Sequence, residues 1–255
     1  MVAHRSGGGQ LPPPGPAPGL LRRRSDQADD HRGIPYPGPI TAPTTHRDEL
    51  EAAIAEAHAW GRPVAVHAMG DELLRMAVEC GADTIEHAFA CTPAAADVLL
   101  RDGLTFCPNL VVTETWDRDA VCCRGLPEWM AENAVAARSG HHELFARAVE
   151  LGVAVCAGVD NLPRTGPHDY GIEHAGQVIG LVRELQLMRS LGLGAEETLR
   201  AATLNAAVAT GVGARSGSLE PGKAADFIVV DEDPLHDVAA LQSAQQVWLA
   251  GRRAH

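Results

Sequence analysis

The sequence predicts an α/β protein in which parallel β-strands alternate with helices. Short apolar runs, such as residues 64–66 and 153–156, are each followed by a loop and a segment with helical spacing of apolar residues. The unit of strand, loop and helix recurs about every 20 residues, which is typical of parallel βα architecture. The nearly continuous apolar strands indicate a sheet covered on both faces, as in a barrel or a doubly wound sheet.

The elements can be placed in order along the chain. Thr45 and Asp48 resemble a capping box at the start of a helix that ends at Gly61. Thr92, followed by Pro93, predicts the cap of a further helix. The remaining strands are predicted at 64–66, 84–85, 104–107 and 153–156, and the remaining helices at 71–80, 130–150, 174–191 and 195–210.

Composition divides the chain into three parts. Residues 1–40 are rich in Gly, Pro and Arg without apolar periodicity, so we expect them to be disordered. Residues 41–212 contain the βα units. From residue 213 to residue 255 the pattern changes to turns and two apolar strands, at 227–230 and 246–249, which predict a separate small sheet.

Charge and composition exclude several classes of protein. A net charge of −12 argues against a nucleic-acid-binding protein, because phosphate contacts need a basic face. No apolar run approaches the ~20 residues that span a bilayer, and the N-terminus lacks the apolar segment of a signal peptide. We therefore expect a cytoplasmic protein that does not bind membranes. The six cysteines form no CxxC pair and are expected to be reduced, buried residues.

Polar residues recur at the ends of the predicted strands. His67 follows the first strand, His87 the second, and Asp160 the strand at 153–156. In parallel βα folds the carboxyl ends of strands form the functional site. Two imidazoles and a carboxylate suit Zn²⁺ or a similar divalent ion, which would activate water, while the carboxylate could transfer a proton. A single strand-end histidine is more often structural, and it is the repetition that favours a site.

Several motifs together resemble the amidohydrolase superfamily. They are VAVHAMG, TIEHA, AGVDN, LRAATLNAA and GSLEPGKAADFIVVDEDPL, within residues 41–253. The resemblance is to the branch of imidazolonepropionase and Xaa-Pro dipeptidase. It implies a (β/α)8 TIM barrel with one or two divalent metal ions, most often zinc, beside a small β-sandwich. Residues 213–255 would supply part of that sandwich.

The resemblance also implies roles for individual residues. His67 and His87 match the metal-binding histidines of the fifth and sixth strands. Asp160 matches the eighth-strand aspartate that binds metal and acts as general base and acid. His168 and Asn109 would contact substrate, although His168 is equally compatible with an exposed loop. Trp116 is expected to pack beside the site.

Other histidines are weaker candidates. His141 and His142 are adjacent on a predicted helix, where their side chains point about 100° apart. They are therefore not expected to share a metal ion. His174 is expected in the first turn of a helix.

Two family features are missing from the sequence. It contains no HxH motif, and its single lysine, Lys223, lies in the turn of the small sheet. The chain therefore resembles strands five to eight of the barrel, as a frameshift, a misplaced start or a true truncation would produce. We expect a metal-dependent hydrolase that acts on C–N bonds in a small-molecule amide. Assembly as a homo-oligomer is compatible with this expectation. The alternative is a non-catalytic fragment that lacks the HxH pair and the bridging lysine.

Overall fold

The structure is a computed structural model, and it describes most of the chain after residue 33. The described residues are 34, 37–43, 45–115, 127–160, 173–174, 177–178 and 180–254, with backbone alone at 173–174 and 177–178. No helix among these residues is long and apolar enough to cross a membrane. The predictions for Trp116 and His168 lie outside the described residues, as does most of the predicted disordered stretch.

A parallel sheet organises the larger part of the fold. Its strands are β1 (Ala65–Met69), β2 (Thr84–Phe89) and β3 (Thr105–Cys107), in that order. A fourth segment adds to β3 through a parallel bridge between Phe106 and Val155. The prediction of a parallel sheet is therefore confirmed, although the strand at 84–85 runs on to residue 89 and the strand at 153–156 forms only this bridge.

The register of the sheet separates its two faces. Paired residues of neighbouring strands project to the same side, and successive residues alternate. Ile85, Phe106 and Val155 therefore share one face, where all three are buried in the main apolar core. His67, Glu86 and Cys107 are partners in a row on the opposite face.

Helices cover the apolar face because their own apolar residues need burial. Leu74 in one helix, together with Leu144 and Phe145 in another, is fully buried in the same cluster as Phe106. The helices are α1 (Arg47–Ala59), α2 (Asp71–Glu79), α3 (Leu110–Thr115), α4 (Glu128–Arg138), α5 (His141–Glu150) and α6 (Leu181–Ser190). The first of these begins one residue later than predicted, since the His46 amide donates to Glu49.

The helix predicted to follow Thr92 is present, with Thr92 at its N-cap position, but the Thr92 side chain does not cap it. Pro93–Leu99 forms a 3₁₀ helix. The Thr92 hydroxyl and amide both donate to Asp71, each at 2.7 Å, so the hydroxyl does not cap the turn that follows it. These bonds instead connect the start of α2 to the segment after β2.

The single helix predicted at 130–150 is two helices. They are separated at Gly140, whose φ of 72° lies in the left-handed region. A Cβ at this position would lie 2.6 Å from the carbonyl oxygen of Cys91, so the turn also requires a residue without a side chain.

The helix predicted from residue 174 also begins later. Glu173–His174 and Gln177–Val178 pair as a short antiparallel ladder, β4 and β5, and α6 begins only after Gly180. The prediction that His174 lies in a first helical turn is therefore wrong, because its backbone takes part in strand pairing.

The helix predicted at 195–210 is present, but its centre is wound more widely. Ala195–Arg200 (α7) and Ala206–Ala209 (α8) are α-helical, and Ala201–Asn205 between them is π-helical. The Ala201 carbonyl accepts from the amide of Ala157 at 2.9 Å, and the Asn205 side chain donates to Val155 at 2.8 Å. These bonds hold the fourth parallel segment against the wide turn.

The C-terminal residues form a separate three-stranded antiparallel sheet, as the change in pattern predicts. Its strands are β6 (Phe227–Val230), β7 (Ala244–Leu249) and β8 (Arg252–Arg253). The Asp226 carboxylate accepts from the Ala250 amide and the Ser216 hydroxyl, both at 2.7 Å. Asp226 therefore ties the edge of this sheet to the preceding turn.

A second apolar cluster lies beyond the carboxyl ends of β1 and β2. It includes Met69, Phe89 and Met130. Ile34 and Ile40, from the stretch expected to be disordered, are 4% and 3% exposed and pack in this cluster. The end of that stretch thus contributes to the packing near the strand ends.

Candidate active site

Three of the predicted site residues converge at the carboxyl end of the sheet. Nε2 of His87 lies 2.8 Å from Nδ1 of His67 and 3.9 Å from Oδ2 of Asp160. His87 is 3% exposed, whereas the side chain of Asp160 is 45% exposed and His67 is also exposed. The site therefore has a buried histidine at its base and two polar groups at its open side.

The contact between the two histidines depends on an irregular backbone. Ala68, not His67, is the strand partner of His87, so regular strands would direct the two imidazoles to opposite faces. The register shifts immediately beyond this pair, and His87 and Ala88 have φ values of 67° and 55°. This bulge turns the His87 ring towards His67, as bulges beside functional sites commonly do.

Left-handed backbone recurs at the site. Asn109 has a φ of 53° and Asp160 a φ of 45°, both at the ends of parallel segments. Such conformations cost free energy in residues other than glycine and persist where the surroundings fix them. Three strand ends therefore hold polar side chains in conformations that local sequence does not favour.

The buried histidine is neutral near pH 7. Burial lowers the pKa of His87 well below its usual value, and the neighbouring His67 and His141 lower it further. Nδ2 of Asn109 lies 3.4 Å from Nδ1 of His87, a longer contact than the bonds that it donates to Glu86 and to the Cys107 carbonyl. One of the two imidazoles donates the hydrogen bond between Nε2 of His87 and Nδ1 of His67.

Glu86 is a site residue that the sequence reasoning missed. It is the strand partner of both His67 and Cys107, so it belongs to the same row of the sheet. Its Oε2 accepts from Nδ2 of Asn109 at 2.8 Å. Partial burial raises the pKa of Asp160, His67 opposes that shift, and the nearby Glu86 raises it further. The sequence could have indicated Glu86, because neighbouring strand residues face opposite sides of a sheet. Assigning the residues of the predicted strands to faces would have placed Glu86 on the same side as His67.

Asn109, which was predicted to contact substrate, is buried and bonded to protein groups. Its side chain is 2% exposed, and its amide donates to Glu86 and to the Cys107 carbonyl. Gly158 packs directly against it, since a Cβ there would lie 2.5 Å from Oδ1 of Asn109 and 2.6 Å from Sγ of Cys107. Asn109 therefore contacts protein groups on the side that faces the site.

His141, Cys107 and Cys156 are buried structural groups. Nε2 of His141 donates to the Pro108 carbonyl at 3.1 Å, and its Nδ1 lies 3.0 Å from the Thr113 hydroxyl. Cys107 and Cys156 are buried free thiols, as expected. His168 lies outside the described residues, so its predicted role stays a prediction.

The donor atoms fit a divalent metal ion in kind but lie closer together than a bound ion would hold them. Two zinc–nitrogen bonds of about 2.0–2.1 Å at a tetrahedral angle separate the nitrogens by roughly 3.3 Å. The observed 2.8 Å is a hydrogen-bond distance, and the proton between the two nitrogens would have to leave before both could bind an ion. Across the described ranges, no group of three or more His, Cys, Asp or Glu side chains is arranged as a metal site. To bind one ion, these two nitrogens would have to separate by about half an ångström.

Comparisons with known proteins agree with the α/β fold. The family model described as "Amidohydrolase family" matches residues 21–254. An uncharacterized protein of Mycobacterium bovis is 31% identical over 211 residues, covering 83% of this chain and 53% of that protein. Imidazolonepropionase of Symbiobacterium thermophilum is 33% identical over 193 residues, covering 74% of this chain and 38% of the enzyme.

A solved structure shows the same likeness. A Xaa-Pro dipeptidase crystallised with methionine in its active site is 26% identical to this chain, with a TM-score of 0.72. The match covers 84% of this chain and 50% of the dipeptidase. The chain thus spans about half the length of such relatives, or less. Because the family model matches most of its residues, the chain belongs to the amidohydrolase family.

Proposed function

We propose that this chain forms strands five to eight of an amidohydrolase barrel, with part of the adjoining sandwich. β1, β2 and β3 would be strands five to seven, and the segment at 153–156 would be strand eight. The parallel order of these four segments supports this proposal, as does the half-length match to the relatives. The site would lie at the carboxyl ends of the strands, where barrels place their chemistry.

The function we propose is metal-dependent hydrolysis of a C–N bond in a small amide. The observation that carries it is the convergence of Nδ1 of His67, Nε2 of His87 and Oδ2 of Asp160. These residues would hold the divalent ion, which we expect to be zinc. When bound, such an ion lowers the pKa of its water to about 7 and supplies a nucleophile at neutral pH.

The chain's own residues suit the accompanying proton transfers. Asp160 is partly exposed, and its pKa is raised by burial, so its carboxylate can accept a proton at the open side of the site and release it. His87 remains neutral and can supply a lone pair from Nε2 when its ring proton is on Nδ1. The Glu86 carboxylate is engaged by Asn109, which would fix the wall of the site beside them.

The substrate class we propose is N-acyl amino acids or dipeptides. The relative described as a Xaa-Pro dipeptidase favours compounds of this type, by analogy. Asn109 and His168 stay proposed neighbours of the substrate. The Asn109 contacts make orientation of the site, rather than direct binding, its better supported role.

A second candidate is a non-catalytic chain that has lost the metal centre. The hydrogen bond between His67 and His87 favours it, because the two imidazoles satisfy each other without an ion. The sequence contains no HxH motif, and this absence favours the second candidate as well.

Metal content and hydrolysis distinguish the two candidates. Purified protein would be loaded with zinc, dialysed and analysed for bound metal, then assayed on a panel of N-acyl amino acids and Xaa-Pro dipeptides. The hydrolase proposal expects one bound zinc ion and hydrolysis, with His87→Ala and Asp160→Asn each reducing zinc affinity 10-fold or more. His58→Ala, on α1 beside Asp83, is the control and should leave both readouts unchanged. A folded wild-type protein without metal or activity would refute the hydrolase proposal and support the second candidate.

A further inference from the structure

Glu184 is a buried carboxylate that the proposed chemistry does not use. It lies on α6, and its side chain is completely buried. Its two oxygens accept from the backbone amides of Leu110 and Val111, at 2.9 and 2.8 Å. The contact joins residues more than 70 positions apart in the chain.

The two amides are the first of α3, and both donate to Glu184. The first four N–H groups of an α-helix point outward from its N-terminus, so a carboxylate placed there satisfies two of them and favours the helix dipole. Burial raises the pKa of Glu184 to about 7, and the two amide bonds oppose that shift. An apolar side chain would be easier to bury at this position, so the carboxylate serves the amides it contacts.

The same two helices are joined a second time at the surface. Arg183 donates to Glu114 at 2.7 Å, which links the next residue along α6 to the end of α3. The two contacts fix both the start and the end of α3 relative to α6. The position of α3 is therefore determined by tertiary contacts rather than by its length of six residues.

The start of α3 adjoins the candidate site. Asn109 directly precedes Leu110, and its φ of 53° is left-handed. In this conformation its amide reaches Oε2 of Glu86 at 2.8 Å and lies 3.4 Å from Nδ1 of His87. Any shift of the Leu110 and Val111 amides would release Asn109 from a backbone conformation that it does not otherwise favour.

We propose that Glu184 is a positioning residue: by holding the first amides of α3, it keeps Asn109 against Glu86 and His87. The consequence for metal binding rests on the proposed function. Partners of metal-binding histidines typically change metal affinity 10- to 100-fold when mutated. Glu184 would exert such an effect from one residue further away, through the backbone that follows Asn109.

The test compares Glu184→Gln with a matched control, Asp83→Asn. Both substitutions replace a carboxylate that accepts a backbone amide, but Asp83 accepts from Val64 at the opposite end of the parallel strands. Zinc affinity is measured by titration calorimetry at a temperature where all variants are folded. We expect a loss of about 10-fold for Glu184→Gln and no change for Asp83→Asn.

A double mutant distinguishes positioning from a general loss of stability. If Glu184 acts through Asn109, then Glu184→Gln combined with Asn109→Ala binds zinc as Asn109→Ala alone does. If the two losses of zinc affinity multiply in the double mutant, the proposal is overturned. A zinc affinity of Glu184→Gln within twofold of wild type overturns it as well. If Glu184→Gln does not fold, Glu184→Asp keeps the charge, shortens the reach by one methylene, and is subject to the same criteria.

An additional readout separates this proposal from the proposed function. The side-chain amide of Asn109 gives an NMR signal that depends on its bonds to Glu86, with or without metal. If wild-type protein binds no zinc, the proposed function fails, and the NMR signal decides the role of Glu184. A changed Asn109 signal in Glu184→Gln, with no change in Asp83→Asn, supports positioning, and an unchanged signal overturns it.

Discussion

Burial of His141 makes the stability of this protein sensitive to acid. His141 is completely buried at the start of α5, where it lies between the Pro108 carbonyl and the Thr113 hydroxyl. Burial, together with the neighbouring His142, lowers its pKa to about 3, although the bond to Pro108 opposes the shift. The folded protein therefore keeps this imidazole neutral at pH values where the unfolded chain protonates it.

The sign and size of the effect follow from that difference. The unfolded pKa is about 6.5, so the contribution of His141 to stability is fully present above that pH and decreases as the pH falls towards 3. Each pH unit in this window corresponds to about 1.4 kcal/mol, so we expect a loss of about 2 kcal/mol at pH 5. Glu184 contributes the opposite slope, because its pKa is raised to about 7 and its contribution decreases as the pH rises through that value.

Comparison with His141→Gln isolates the histidine, since both proteins retain Glu184. The glutamine amide can still donate to Pro108 but does not titrate. The free energy of unfolding in urea, measured from pH 8 to pH 5, should fall by about 2 kcal/mol more for wild type than for the variant. His236→Gln, at an exposed position, is the control and should give a curve parallel to wild type. If the wild-type and His141→Gln curves are parallel as well, the proposed neutral burial of His141 is wrong.

Two glycine substitutions test the packing near the site, each against a matched control measured by urea unfolding. Gly158→Ala places a methyl group 2.5 Å from Oδ1 of Asn109 and should destabilise the protein by about 1–3 kcal/mol, whereas Gly180→Ala meets none of the described atoms within 4 Å. Equal stability of these two variants would contradict the close contact of Gly158 with Asn109. Gly140→Ala and Gly152→Ala share a left-handed φ, of 72° and 77°, but only the first meets a backbone oxygen, that of Cys91 at 2.6 Å. Gly140→Ala should therefore be the less stable of this pair by about 1–3 kcal/mol, and equal losses would show that backbone conformation alone determines the cost.

Local sequence predicted the elements well where a single periodicity or cap decided them. The parallel order of the strands and the helix from Asp71 follow from apolar spacing and are present in the structure. The predictions failed where a distant partner redirected a local signal. Thr92 has the chemistry of a helix cap, but Asp71, 21 residues earlier, takes its hydroxyl and amide instead.

The site shows the same division. The repetition of polar residues at strand ends identified His67, His87 and Asp160, and the structure brings these three together. Glu86 was not predicted, because the residues of β2 were not assigned to faces of the sheet. Glu184 was not predicted either, because its position along α6 is that of an ordinary helix residue. Its partners, the amides of Leu110 and Val111, are 74 and 73 positions away in the chain.

The sequence by itself determined which chemical groups stand at the ends of the parallel strands. It determined this because strand formation and helix formation depend on nearby residues, whose apolar spacing can be read directly. Only the tertiary structure decided where those groups point. Regular pairing would have placed His67 and His87 on opposite faces, and the bulge at His87 and Ala88 turns one imidazole towards the other. Backbone conformations of this kind are unfavourable alone and are held by contacts such as those around Asn109, which form only when the chain is folded.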